Sequence, residues 1–123
     1  MAPLALQTAL TSAGDAFIAL SGELDLSGAP ALDDEIARLA SNVAVQRVVL
    51  DLRGLEFLDS SGLRAVALAD RLLEAAGRRL VLVRGGESVQ RVFEITRMDE
   101  RLEFVDSPDA LGALAGERGG DVP

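Results

Sequence analysis

Asp59, Ser60 and Ser61 stand directly ahead of Gly62-Leu63-Arg64, and this cluster is where the chain can do chemistry. Two hydroxyls beside a carboxylate can accept a phosphate, act as nucleophiles or cap a helix. Upstream, Val48-Val49-Leu50-Asp51-Leu52 is a short apolar run rich in β-branched residues, as a buried strand would be. Downstream, Leu63 opens an apolar pattern at helical spacing that continues to Ala76. Ser60 or Ser61 is the N-cap on this reading, because a hydroxyl can accept from a free N–H of the first turn. The hydroxyls then lie at a helix N-terminus, the end that favours an anion. The pair can act as a phosphate-bearing switch as well as a cap. Capping alone would need only one of the two.

Composition narrows the chemistry. The 123 residues contain no histidine and no cysteine, which removes His-based triads, thiol chemistry, disulfides and zinc sites on soft ligands. All twelve basic residues are arginine, so no lysine exists for a phosphate-binding Walker loop at Gly85-Gly86, which reads as a turn. A serine hydrolase at Ser60 or Ser61 would also need the Gly-x-Ser-x-Gly elbow, which is absent. Asp33-Asp34-Glu35 are consecutive and point in different directions, so they complement a helix dipole rather than hold a metal. No metal and no cofactor are expected. The net charge of −8 makes nucleic acid and anionic membrane poor partners. No apolar run approaches a membrane span and no basic signal-peptide flank opens the chain, so a cytoplasmic location is expected.

The elements that must position the cluster follow from periodicity. A 49% hydrophobic chain of this length supports one folded domain with a real core. Pro3–Leu10 reads as a weak edge strand, Ser12-Ala13-Gly14-Asp15 as a turn and Ala16–Leu20 as its hairpin partner. Ser21-Gly22 reads as the start of a loop carrying Asp25. Ser27 reads as the N-cap of a helix with Pro30 in its first turn and Leu32, Ile36 and Leu39 on its apolar face. Arg47–Leu52 is a central strand covered on both faces. The helix from Ser61 to about Ala76 is expected to bury Ala65, Leu68, Ala69, Leu72, Leu73 and Ala76, with Arg64, Arg71, Glu74 and Arg78 solvated; Gly77 ends it. Leu55, Phe57 and Leu58 lie in a segment expected to be a loop held against the core, with Phe57 and Phe93 both core residues. Arg79–Arg84 is a further strand, Val89–Ile95 a helix, Leu102–Val105 a short edge strand, and Ser107-Pro108 opens a last helix carrying Ala110, Leu111 and Leu114. The order is β-β-α-β-α-β-α-β-α. That predicts an α/β fold: a mixed, mainly parallel sheet of four or five strands packed with about four helices in one or two layers. Residues 1–115 form the domain, and the polar, Gly-rich stretch 116–123 is expected to be a disordered tail.

Taken together, "VVLDLRGLEFLDSSGLRAV" and "SGELDLSGAPAL" resemble the signature segments of STAS domains, in particular the single-domain bacterial anti-sigma factor antagonists. "GGESVQRVFEITRMDERLEFVDSPDAL" resembles the family's C-terminal third, so the resemblance covers most of the chain. Gly22-Glu23-Leu24-Asp25 and Asp59-Ser60-Ser61-Gly62-Leu63 at this separation form a specific combination; either run alone is weak. The resemblance implies that Ser60, directly after Asp59, is phosphorylated by the partner. That partner would be an anti-sigma factor with a histidine-kinase-like ATP-binding fold. The unphosphorylated protein would bind it and release the sigma factor, phosphorylation would abolish binding, and a metal-dependent serine phosphatase would restore it. The partner-binding surface implied is Asp25, Asp59, Ser60, Ser61, Gly62, Leu63 and Arg64. Arg64 stands where some members carry a small residue, which implies a partner-facing surface that selects a different kinase. Asp25 also has a plain reading as a loop acid bonded to its own backbone. The resemblance leaves a second role open: a stand-alone STAS module of another assembly, either a stress-signalling complex or a lipid-transport ATPase subunit.

Overall fold

In the computed structural model, which describes residues 2–111, one five-stranded sheet organises the chain. The elements are β1 (Ala5–Leu10), β2 (Asp15–Leu24), α1 (Ala29–Ala40), β3 (Arg47–Leu58), α2 (Ser60–Ala75), β4 (Arg79–Val83), α3 (Glu87–Ile95) and β5 (Phe104–Val105). A 3₁₀ turn spans Met98–Glu100, and a last helix has begun by residues 109–111. Strand order follows chain order, β1-β2-β3-β4-β5. The first pair is antiparallel and the rest are parallel, as a hairpin followed by strand–helix–strand units requires.

Alternation along the strands gives the sheet two apolar faces. Ala16, Ile18, Leu20, Val48, Leu50, Leu52, Leu80 and Leu82 pack with Leu32, Ile36 and Leu39 of α1, Ala65, Val66, Ala69 and Leu73 of α2, and Val89 and Phe93 of α3. The opposite face carries Val49, Val81 and Val83 against Leu111, flanked by Phe17 and Val105. Helices therefore cover both faces, and this explains why Val48, Val49 and Leu50 are all apolar and fully buried. At the sheet's lower end, buried Arg47 binds Asp15 bidentately at 3.0 and 2.9 Å and ties the start of β3 to that of β2.

Several boundaries differ from the sequence expectation. β2 continues from Leu20 to Leu24 and β3 from Leu52 to Leu58, where loops were expected. The two strands stay paired through register shifts between Ala19 and Ser21 and between Gly22 and Glu23. Gly22 is a bulge residue, not a turn residue: its φ is +84°, and a Cβ there would stand 2.2 Å from the carbonyl oxygen of Pro3. On α2, Leu68 and Leu72 are each 44% exposed while Val66 is buried, so the inward stripe is rotated from the one expected. Both leucines border an open groove with Ile36 and Ala69, between α1 and α2. Arg78 is not solvated, since it donates to the carbonyl oxygens of Ala76 and Asn42. α1 is capped at Gly28 rather than Ser27, with Pro30 in the first turn as expected. Asp33, Asp34 and Glu35 begin only after that first turn, and Glu35 binds Arg38 and the Thr8 hydroxyl. α3 begins at Glu87, earlier than Val89. Ser107 and Pro108 open the last helix through bonds from Ala110 and Leu111, and Leu111 is buried. Leu114 and the proposed tail 116–123 lie outside the described residues.

Candidate functional site

The extension of β2 and β3 carries both strands to a common upper end, and the candidate site is built there. Leu24 pairs with Leu58 in the ladder, and the Asp59 N–H bonds the Leu24 carbonyl oxygen at 3.4 Å. The chain then turns sharply into α2. Asp59 is extended (φ −106°, ψ −171°), and its Oδ1 accepts from the Gly62 N–H at 2.9 Å. Its carbonyl oxygen accepts the first helical bond, from the Leu63 N–H at 2.9 Å. Asp59 is therefore the N-cap, correcting the assignment to Ser60 or Ser61. Both serines are already inside the first turn.

This correction releases the hydroxyls. Neither Ser60 Oγ nor Ser61 Oγ has a hydrogen-bond partner among the described residues. They differ in exposure: Ser60 is exposed and Ser61 half-buried. Gly62 follows because the helix touches the end of β2. A Cβ on Gly62 would come within 2.2 Å of the Leu24 carbonyl oxygen and 2.7 Å of Leu58 Cδ1. Leu63 packs partly against the main core, and Arg64 is exposed one turn above Ser60.

Asp25 begins the loop that leaves this same end of β2. Its Oδ1 accepts from the Ser27 hydroxyl at 2.7 Å and from the N–H groups of Ser27 and Gly28, each at 3.1 Å. Its carbonyl oxygen also accepts from the Gly28 and Ala29 N–H groups. The Ser27 hydroxyl, then the Gly28 N–H, hold its carboxyl below the usual carboxylate range. The plain reading of Asp25 is thus observed: it secures the entry to α1. The same bonds fix a negative charge beside the turn that carries Ser60.

Two further residues belong to this surface. Leu26, next to Asp25, is 75% exposed. Phe57, expected in the core, is 46% exposed and pairs with Glu23 across the ladder. The bulged register turns Phe57 outward while Leu58 keeps its place inside. An apolar residue between two turn-forming polar ones, Asp25 and Ser27, was the available signal for Leu26. Phe93 is core as expected, edge-on to Phe104 with ring centres 5.2 Å apart. No cluster of three or more potential metal ligands occurs among the described residues.

Comparison with known proteins decides the family. The STAS domain profile matches residues 8–110. The chain belongs to the STAS domain family. It is 29% identical over 99 residues to an anti-sigma F factor antagonist of Lysinibacillus sphaericus, covering 80% of this chain and 85% of that one. It is 28% identical over 109 residues to the anti-sigma-F factor antagonist RsfB of Mycobacterium tuberculosis, covering 89% and 86%. The anti-sigma factor antagonist SpoIIAA has been solved in two forms. The unphosphorylated form superposes with a TM-score of 0.70 at 26% identity, over 94% of this chain and 99% of SpoIIAA. The phosphorylated form, from Bacillus, gives 0.70 at 24%, over 89% and 99%. The mixed five-stranded sheet with flanking helices is the STAS fold of SpoIIAA. No helix among the described residues is long and apolar enough to cross a membrane.

Proposed function

We propose that this chain is an anti-sigma factor antagonist switched by phosphate on Ser60. The unphosphorylated form binds an anti-sigma factor with a histidine-kinase-like ATP-binding fold, which frees the sigma factor. The same partner phosphorylates Ser60, and a metal-dependent serine phosphatase resets the switch. A cytoplasmic location goes with that role. The observation that carries the reading is the free, exposed hydroxyl of Ser60 next to a cap already supplied by Asp59. Capping explains Asp59 and leaves Ser60 without a structural task.

In the transfer, Ser60 Oγ attacks the γ-phosphorus of ATP held by the partner. The bond to the β-phosphate oxygen breaks, ADP leaves, and the hydroxyl proton passes to a base. The partner supplies that base, because the neighbouring Asp59 carboxylate is engaged in the cap bond from the Gly62 N–H. The chain is a substrate and a ligand, not an enzyme.

Phosphorylation brings about −1.5 to −2 charges to a surface that already holds Asp59 and Asp25. The helix N-terminus favours the new charge and Asp59 opposes it, so the fold itself changes little. Docking changes more. A close interface shaped to the neutral Ser60 hydroxyl would have to desolvate a dianion that the partner does not match, at a cost of several kcal/mol, and about 4 kcal/mol is a thousandfold in affinity. Asp25, Asp59, Ser60, Ser61 and Arg64 form the polar part of that docking face, Leu26 and Phe57 its apolar part, and Gly62 and Leu63 seat the turn beneath it. The test is mass spectrometry after reaction with ATP and the cognate anti-sigma factor. Phosphate should appear on Ser60 and vanish in Ser60→Ala. Undiminished labelling of Ser60→Ala, with phosphate on Ser61, would refute the assignment.

A further inference from the structure

Arg64 is exposed and makes no ion pair among the described residues. The positions three and four away on α2 are Ser60, Ser61, Ala67 and Leu68, and none carries a charge. Yet Arg64 sits four residues after Ser60 on the same face of the helix, at the spacing that brings side chains together. Helical side chains lean toward the N-terminus, so a long side chain at position 64 can reach the turn that contains Ser60. An anion at the earlier position and a cation at the later one is the favourable order for such a pair.

Besides Arg64, the helix N-terminus offers a phosphate on Ser60 only partial positive charge, and part of that is already spent. The Gly62 N–H is already committed to the Asp59 carboxylate at 2.9 Å, and the Leu63 N–H to the Asp59 carbonyl oxygen. Asp59 and, from the adjoining loop, Asp25 are both acids. Along α2 the next basic residue after Arg64 is Arg71, nearly two turns further from Ser60.

Building on Ser60 as the phosphate acceptor, we propose that Arg64 is the internal counter-ion of the phosphorylated Ser60. Its guanidinium donates charge-assisted hydrogen bonds to the phosphate oxygens and draws the phosphate down along α2. The switch then alters two charges on the docking face: an anion is gained, and a cation otherwise free to meet the partner is occupied.

The test uses the full chain with phosphoserine installed at position 60 during translation, so that no kinase enters the measurement. The ³¹P resonance is titrated with pH in the parent protein and in R64K, R64Q and R71Q. Arg64 should lower the midpoint of the second phosphate ionisation by about 0.3 pH unit relative to R64Q. R64K should fall between them, and R71Q should match the parent. Equal midpoints in the parent and R64Q would overturn the pairing. So would an R71Q shift as large as that of R64Q, which would mean a diffuse field rather than a contact. If R64Q fails to fold, the parent and R64K make the same comparison. Should no partner phosphorylate Ser60, the functional reading falls while this result stands.

Discussion

Gly62 lies directly against the carbonyl oxygen of Leu24, so close that a Cβ on Gly62 would be 2.2 Å from it. This contact seats the first turn of α2 on the end of β2 and brings the Asp59–Ser60 turn beside the Asp25 loop. Because the obstacle is backbone, it cannot move aside as a side-chain tip would. Gly62→Ala should lose about 2–3 kcal/mol of stability in urea unfolding. A loss under about 0.5 kcal/mol would mean that the two elements are not in contact.

Asp59 caps α2, and its loss should be read in stability before function. Asp59→Ala should cost about 1 kcal/mol, and Asp59→Asn much less, because the amide oxygen can still accept from the Gly62 N–H. Equal losses in the two variants, measured by denaturant midpoint, would mean that charge rather than the cap bond is at work.

Leu26 and Phe57 present apolar surface next to the switch and contribute little to the core. Leu26→Ser and Phe57→Ser should each change folding stability by no more than about 0.5–1 kcal/mol. Each should weaken binding of the anti-sigma factor about tenfold or more, as buried interface anchors do. Unchanged affinity by titration calorimetry would remove both from the docking face.

Much of this arrangement was legible in the sequence. The apolar run at Val48–Leu52 gave the central strand, and the helix after it gave the turn that carries Ser60. What stayed hidden depended on tertiary contacts. Gly22 looks like a loop residue because a glycine with positive φ serves a turn and a bulge equally well. Missing the bulge shortens β2 and β3 and leaves Phe57 assigned to the core. The N-cap was ambiguous because Asp and Ser are both good caps; the extended backbone at Asp59 decided it. Leu68 and Leu72 fit a helical stripe as well as Val66 does, and only the position of α1 determines which of them is covered.

Acid titration offers a check on packing away from the site. Burial, reinforced by Glu74 and only partly offset by Arg101, raises the Asp70 carboxyl above its usual range. A raised carboxyl costs stability once it ionises in both states, so the penalty is absent below the unfolded value. It grows as pH rises through the folded one and then stays constant. Asp70→Asn should therefore be more stable than the parent at pH 7, with the difference closing below about pH 4. A difference independent of pH, followed by thermal melting from pH 3 to 8, would contradict this.

The most direct test compares Ser60→Ala, Ser60→Asp and the parent protein by calorimetric titration with the anti-sigma factor, with thermal melting of each alongside. Ser60→Asp adds one carboxylate at a helix N-terminus, so its stability should change by at most about 1 kcal/mol. Its affinity should fall far more, by about a hundredfold or greater, because the carboxylate, even with Arg64 alongside, must be desolvated against a partner surface shaped to a neutral hydroxyl. Ser60→Ala should bind like the parent and resist phosphorylation. If Ser60→Asp binds as tightly as the parent, or loses binding only because it has unfolded, phosphate at Ser60 does not act by blocking a dock.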